Sequence, residues 1–138
     1  LMVHNTQTTK PDIAFAEKAW EQLYWVSCPN ANLYIENQLP DYDAFMDEEA
    51  CIALGTDSLA SNWQLSILDE IKTLRKYKSY LPSLQLLQWG TENGAKALGF
   101  EDRLGTLEKG KRPGLNHLNL TAKDDWEITS STDVRRII

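Results

Sequence analysis

The stretch CIALGTDSLASN, residues 51–62, ends a short apolar run on a carboxylate. Residues 52–54 are apolar, as in a buried strand, and Gly-Thr-Asp follows them directly. Functional side chains of α/β proteins cluster where strands end and loops begin. The carboxylate of Asp57 could therefore cap a helix, bind a metal ion or carry a proton, and the rest of the chain must distinguish these alternatives.

Two more apolar segments precede this one, and helical patterns alternate with them. We predict strands at residues 1–4, 23–28 and 51–54. We predict helices at residues 11–22, 41–49, 63–77 and 83–98, the last with Leu84, Leu87, Thr91, Ala95 and Leu98 on one face and Gly99 at its C-cap. Strands that alternate with helices predict a parallel sheet with helices outside it. The helical pattern stops after Gly99, and we predict further strands at residues 115–120 and 134–138.

The composition is that of a soluble globular protein and argues against two classes of function. The chain has 138 residues, with 14 Lys and Arg against 20 Asp and Glu and a net charge of −6, so it lacks the basic stripe that neutralises nucleic-acid phosphates. No apolar stretch approaches the roughly 18–20 residues of a membrane span.

Cys28 and Cys51 lie in strand-like runs outside any CxxC pattern, so we expect both to be reduced and buried in a cytoplasmic protein. The chain starts inside a predicted strand without a signal peptide, and we expect further residues upstream.

Polar residues follow each of the three predicted strands. His4 ends the first strand, the segment CPNAN at residues 28–32 follows the second, and Asp57 follows the third. Because parallel strands end at one edge of a sheet, we expect these groups to converge. Two other chemistries fit less well. GTDS is not the GxSxG turn of a serine nucleophile, and LGTLEKGKRPG at residues 104–114 does not match the phosphate-binding GxxxxGK[ST] pattern.

Five segments in order resemble the C-terminal part of the amidohydrolase superfamily, over roughly residues 1–120. They are VHN, CPNANLYI, ALGTDSLASN, GTENGAKALG and LGTLEKGKRPG. The most similar branch contains guanine deaminase, the chlorohydrolases and the adenosine-derivative deaminases. The resemblance implies the last three β/α units of a TIM (β/α)8 barrel, strands six to eight with their helices, at residues 1–113. Residues 114–138 would then be a strand segment of the small accessory β-sandwich with a tail, and the barrel would be incomplete.

The resemblance also implies roles for single residues. Asp57 corresponds to the carboxylate after strand eight that binds the catalytic metal and transfers a proton, and His4 to the catalytic histidine of strand six. Asn32 corresponds to the asparagine of the strand-seven loop, and we expect it to bind substrate. Ser58, Ser61 and Asn62 follow the metal-binding aspartate and are expected to shape the substrate pocket. The implied cofactor is zinc or another divalent metal, which lowers the pKa of a bound water to about 7.

The sequence lacks histidines that the family pattern contains. The family has an HxH pair after strand one and a histidine after strand five, whereas this sequence has two histidines, His4 and His117, and the latter lies in a predicted strand beyond the barrel. A catalytic zinc site takes about three protein ligands, and a complete barrel about 250 residues. We therefore expect the isolated chain to bind no metal and to be inactive.

Three hypotheses for function follow. In the first, the chain is a fragment of a zinc amidohydrolase that hydrolyses C–N bonds, by deamination or amide hydrolysis, in a small and cyclic substrate. Its partners would be that substrate, the remaining N-terminal part of the barrel and further copies of itself, with neither nucleic acid nor membrane. In the alternative, the chain is a non-catalytic α/β scaffold or assembly module that has lost the metal site. An unrelated nucleotide-binding domain is a third and less favoured reading.

Overall fold

The protein is described by a computed structural model that covers residues 1–120 and 126–138. Within it the chain forms two compact units, Leu1–Leu65 and Ser66–Ile138. The predicted division between residues 113 and 114 concerns the intact enzyme and stays a prediction.

The first unit contains a three-stranded parallel sheet. Its strands are β1 (Met2–Val3), β2 (Trp25–Ser27) and β3 (Ile52–Leu54), in the order β1-β2-β3. In the register of the sheet Met2 pairs with Trp25, and Trp25 with Ile52. The parallel sheet predicted from the alternation of strands and helices is therefore present, and the strands run in chain order across it.

Three helices connect or follow these strands: α1 (Lys10–Ala19), α2 (Pro29–Glu36) and α3 (Tyr42–Asp47). The first and third correspond to predicted helices, whereas the sequence pattern did not predict α2. Pro29 occupies the first turn of α2, where its missing N–H is not needed. Asn37 ends the helix in the left-handed conformation, with φ of 52°, as an asparagine can. Residues 29–32, expected in a loop, therefore form the first turn of a helix.

The second unit contains α4 (Ile67–Tyr77), α5 (Ser83–Gly90), α6 (Glu92–Ala97) and an antiparallel pair, β4 (Asn116–Leu118) with β5 (Val134–Arg136). The helix predicted from residue 63 begins only at residue 67, because the Ser66 hydroxyl caps it by accepting a hydrogen bond from the Asp69 N–H. The single helix predicted at residues 83–98 is wrong. Thr91 leaves the helical conformation, with φ of −128° and ψ of −79°, and separates α5 from α6.

The predicted apolar face of that helix is also wrong in part. Leu84 and Leu98 are exposed, whereas Leu86 and Trp89 are buried. The break at Thr91 accounts for Leu98, which follows it, whereas α5 buries the face that carries Ser83, Leu86 and Trp89 instead of Leu84.

Each unit has its own apolar core. In the first, Ile13 of α1 and Ile52 of β3 are buried, and the rings of Trp25 and Phe45 meet edge to face with centroids 5.1 Å apart. In the second, the buried side chains include Ile71, Leu74, Leu81, Leu86 and Ile128. The two cysteines are not joined in a disulfide; Cys28 is buried, whereas Cys51, which was also expected to be buried, is only half-buried just before β3. No helix among residues 1–120 and 126–138 is long and apolar enough to cross a membrane.

Candidate active site

The first unit brings together three side chains that follow successive strands. Nδ1 of His4, after β1, lies 2.8 Å from Oδ1 of Asn32, which is in the first half of α2 after β2. Nε2 of the same ring lies 3.9 Å from Oδ2 of Asp57, which follows β3. The convergence expected from a parallel sheet is therefore present, with the imidazole between the amide and the carboxylate.

The backbone at two of these positions is in the left-handed region. His4 has φ of 72° and Asp57 has φ of 57°, and Asn5 follows His4 with φ of 59°. Side chains other than glycine and asparagine rarely adopt this conformation, and it costs on the order of 1–3 kcal/mol per residue. The turn is held because the His4 N–H donates to the Val26 carbonyl at 2.9 Å and the Asn5 side chain donates to the Met2 carbonyl at 2.9 Å.

The carboxylate of Asp57 is held in its charged form. The Ser61 hydroxyl donates a hydrogen bond to Oδ2 at 2.6 Å, and this bond is the largest cause that lowers the pKa of Asp57 below its ordinary value. Partial desolvation opposes the shift, while the Ser58 N–H and the nearby His4 add to it. The side chain keeps 32% of its surface exposed. Asp57 is thus a charged and accessible acceptor at neutral pH, suited to binding a cation or a hydrogen-bond donor.

The substrate-binding residues predicted after Asp57 shape the loop that holds it. Asn62 is buried and donates to the Thr56 carbonyl at 2.8 Å. Ser61 is buried, whereas Ser58 is exposed and its hydroxyl accepts from the Ala60 N–H at 3.2 Å. Their roles in binding substrate stay predictions.

Gly55 is a positioning element that the sequence reasoning did not single out. A Cβ at this residue would lie 3.1 Å from Cγ1 of Val26 and 3.2 Å from Sγ of Cys28. The Gly55 N–H also donates to the Ser27 carbonyl at 2.9 Å. A larger residue here would require the Val26 and Cys28 side chains to shift by a few tenths of an ångström, so Gly55 eases the close approach of β3 to β2 just before Asp57. A glycine between an apolar run and a polar loop is the sequence signal that could have found it.

The described residues do not complete a metal site. Residues 1–120 and 126–138 contain no group of three or more His, Cys, Asp or Glu side chains placed to hold an ion. His4 and Asp57 are two such side chains, while His117 lies in β4 of the second unit. Since a catalytic zinc takes about three protein ligands, this donor set alone does not fit the metal that the resemblance implies.

One side of His4 opens into a large groove. The groove has a volume of about 610 Å³ and is lined by β1, the following turn and the outer face of α1. Phe15 and Trp20 are among its lining residues and keep 71% and 56% of their surfaces exposed. Among the described strands β1 pairs with β2 alone. The sheet thus has an open, apolar edge directly beside the candidate site.

Comparison with known proteins shows which family this chain resembles. The sequence model of the amidohydrolase family matches residues 1–136. A 5-methylthioadenosine/S-adenosylhomocysteine deaminase of Teredinibacter turnerae is 30% identical over 129 residues, which are 88% of this chain and 29% of that protein. A 5'-deoxyadenosine deaminase of Methanosarcina barkeri is 36% identical over 92 residues, 62% of this chain and 21% of that protein.

Solved structures of deaminases superpose on this chain. An adenosine deaminase from Xanthomonas campestris with bound zinc superposes with a TM-score of 0.73 at 34% identity, over 87% of this chain and 28% of the other. Aminofutalosine deaminase of Helicobacter pylori superposes with a TM-score of 0.73 at 24% identity, over 90% of this chain and 31% of the other, which shows a shared fold. The chain has the α/β fold of these proteins and spans less than a third of the length of each.

Proposed function

Since this chain belongs to the amidohydrolase family, we propose that it is the C-terminal part of an enzyme that hydrolyses a C–N bond of a small, cyclic substrate. In this proposal residues 1–113 are the last three β/α units of a (β/α)8 barrel, and residues 114–138 belong to the accessory β-sandwich with a tail. The proposal is supported by the family match and by deaminase relatives of which the chain covers under a third.

The single observation that carries the proposal is the pair formed by His4 and Asp57 at the ends of β1 and β3. Their facing atoms lie 3.9 Å apart, so one oxygen or nitrogen atom at a hydrogen-bond distance of about 2.8 Å from each fits beside the pair. The lowered pKa of Asp57 keeps its carboxylate ionised at neutral pH, so that it can bind a cation or accept a hydrogen bond. A proton acceptor and a histidine around one small polar group are the requirements of general acid–base hydrolysis.

The relatives suggest the substrate class. The relatives named above are deaminases of adenosine derivatives, and we propose a 6-aminopurine nucleoside as substrate. Water would add to the ring carbon that carries the amino group, and the C–N bond would break to release ammonia. One hydrogen of the water would leave with the ammonia, and the other would pass to the ring nitrogen next to the new carbonyl. Asp57 would take a proton from the water and return it to the departing nitrogen, and His4 would hold or polarise the groups between them.

Zinc or another divalent metal is part of the proposal for the intact enzyme. Asp57, with His4 beside it, is what this chain offers to such an ion. The further ligands would have to be supplied by the longer protein, since the described residues contain no complete set. Asn32, Ser58, Ser61 and Asn62 would complete the wall of the substrate pocket on this side.

The open edge of the sheet supports the proposed partners. Val3 of β1 is 48% exposed, and Phe15 and Trp20 of the adjoining groove are more exposed still. Uncovered strands and apolar surface of this kind pair with other chains. We expect the preceding part of the barrel to cover this edge in the intact enzyme, and a second copy of the chain to cover it when that part is absent.

The test is ammonia release by the full-length protein that contains this chain. The probes are 5-methylthioadenosine, S-adenosylhomocysteine and 5'-deoxyadenosine, with Asp57→Asn as the test variant and Asp43→Asn, an exposed carboxylate of α3, as its matched control. We expect activity that falls about 10²–10⁴-fold in Asp57→Asn alone, the usual range for a lost acid–base group. Full activity in Asp57→Asn would contradict the assigned roles. Absence of metal and of activity toward all three probes would favour the non-catalytic scaffold.

A further inference from the structure

The imidazole of His4 is held from one side by a buried amide. Asn32 is only 2% exposed, and its Oδ1 lies 2.8 Å from Nδ1 of His4. The same amide donates from Nδ2 to the backbone carbonyl of His4 at 3.5 Å. Both ends of the Asn32 side chain are therefore directed at a single residue.

These two contacts fix which way the amide faces. A backbone carbonyl only accepts hydrogen bonds, so the amide must present its NH₂ group to the His4 carbonyl and its oxygen to the ring. An amide oxygen carries no hydrogen, so Nδ1 of His4 must be the donor of the 2.8 Å bond. In a neutral imidazole the other nitrogen, Nε2, is then without a proton.

We propose that Asn32 is a positioning residue that holds His4 as the Nδ1–H tautomer, so that an unprotonated Nε2 faces Asp57 across 3.9 Å. The catalytic role of this tautomer rests on the function proposed above and adds a positioning residue to it. Asn32 then contributes to substrate binding through His4, and no contact between its own amide and the substrate is required.

The tautomer determines what the pair can bind. Nε2 without a proton and the carboxylate of Asp57 are both acceptors, so a neutral group between them must donate to each. A water molecule, an amino group or an ammonia molecule has the two hydrogens that this requires, whereas a carbonyl oxygen has none. The pair is thus matched to the attacking water and the leaving nitrogen of a deamination. The opposite tautomer would present a donor from Nε2 and match a carbonyl instead.

The test reads the tautomer directly. The full chain is labelled with ¹⁵N-histidine, and ¹H–¹⁵N spectra of the rings are recorded near pH ~8.5, where an ordinary histidine is neutral. The sequence has two histidines, so His117, exposed in β4, is an internal reference. We expect His4 to show a protonated Nδ1 and a bare Nε2.

Three variants distinguish an effect of Asn32 on the His4 tautomer from a general effect on the fold. Asn32→Leu removes the acceptor, and the ratio of Nδ1–H to Nε2–H should fall roughly two- to tenfold, the equilibrium effect of one neutral hydrogen bond. Asn32→Asp keeps an acceptor against Nδ1 and should keep the tautomer. Ser83→Ala removes a buried 3.0 Å hydrogen bond from the Ile128 N–H in the second unit and should leave the His4 spectrum unchanged.

Two results would overturn the proposal: a wild-type His4 protonated mainly on Nε2, or a ratio unchanged in a folded Asn32→Leu chain. If Asn32→Leu does not fold, the wild-type and Asn32→Asp spectra decide, because a neutral His4 ring protonated on Nε2 in either one contradicts the proposal. The readout needs no catalysis. A full-length protein that deaminates none of the probes while His4 keeps the Nδ1–H tautomer would therefore overturn the proposed function alone.

Discussion

The Ser61 hydroxyl donates a 2.6 Å hydrogen bond to Oδ2 of Asp57, the same carboxylate oxygen that lies 3.9 Å from Nε2 of His4. One oxygen atom is thus shared by a neutral donor and an imidazole, and Ser61 is the main reason that the pKa of Asp57 is lowered.

We expect Ser61→Ala to raise the pKa of Asp57 toward the ordinary value of about 3.9. A lowered pKa in the folded state stabilises the fold above the ordinary value, and this stabilisation is lost as the pH falls through the folded-state value. Ser61→Ala should therefore lose less stability between pH ~5 and pH ~2 than the wild type. A ¹³C titration of the Asp57 carboxyl, with urea unfolding at each pH, measures both effects. An unchanged titration curve in Ser61→Ala would show that the hydrogen bond does not set the pKa.

Gly55→Ala should destabilise the first unit. The new Cβ would lie 3.1 Å from Val26 and 3.2 Å from Cys28, and such overpacking typically costs about 1–3 kcal/mol. Gly94→Ala in α6 is the matched control, because its Cβ would meet nothing nearer than the Trp89 carbonyl at 4.0 Å and alanine is favoured in a helix by about 0.5–1 kcal/mol. In thermal unfolding, the midpoint temperature should fall for Gly55→Ala and rise for Gly94→Ala. A stable Gly55→Ala chain would argue against the close approach.

The left-handed backbone of Asp57, with φ of 57°, predicts an order of stability among substitutions. Asp57→Gly and Asp57→Ala remove the same carboxylate and its bond to Ser61, but only glycine adopts this φ without strain. The free energy of unfolding should be about 1–2 kcal/mol higher for the glycine variant than for the alanine variant, which makes the glycine variant the more stable of the two. Urea titrations of the pair measure this difference. Equal stabilities would mean that the loop relaxes when the carboxylate is removed.

Val3→Pro should weaken self-association of the isolated chain without unfolding it. The N–H groups of Met2 and His4 point toward β2, where they donate to Tyr24 and Val26, so the N–H of the residue between them faces away from the sheet. A proline is tolerated at such an edge position and blocks pairing with another strand. Sedimentation should show roughly tenfold weaker association, equivalent to about 1.4 kcal/mol.

Met2→Pro is the control for this experiment, because it removes a hydrogen bond inside the sheet and should lower stability instead. Equal association of Val3→Pro and wild-type chains would show that copies do not meet through β1.

The sequence allowed the alternation of strands and helices, the parallel sheet and the convergence of His4, Asn32 and Asp57 to be predicted. These features follow from apolar runs, which short stretches of sequence show, and from the common direction of parallel strands. The helix α2 was missed because Pro29 and Asn30 are typical of turns, while their place in the first turn of a helix depends on the residues that follow.

Other features depend on contacts that no local pattern records. The break at Thr91 separates two segments with good helical composition. The positive φ of His4 is held by a hydrogen bond to Val26, which is distant in sequence. The burial of Asn32, and hence its direction toward the ring, follows from α2 itself and could not be predicted once that helix was missed.

The boundary after Leu65 has a genetic consequence. All six predicted site residues precede it, so an exchange of residues 66–138 for the matching stretch of a related deaminase preserves every one of them. Chimaeras made at this junction would show which properties follow residues 1–65 and which follow residues 66–138.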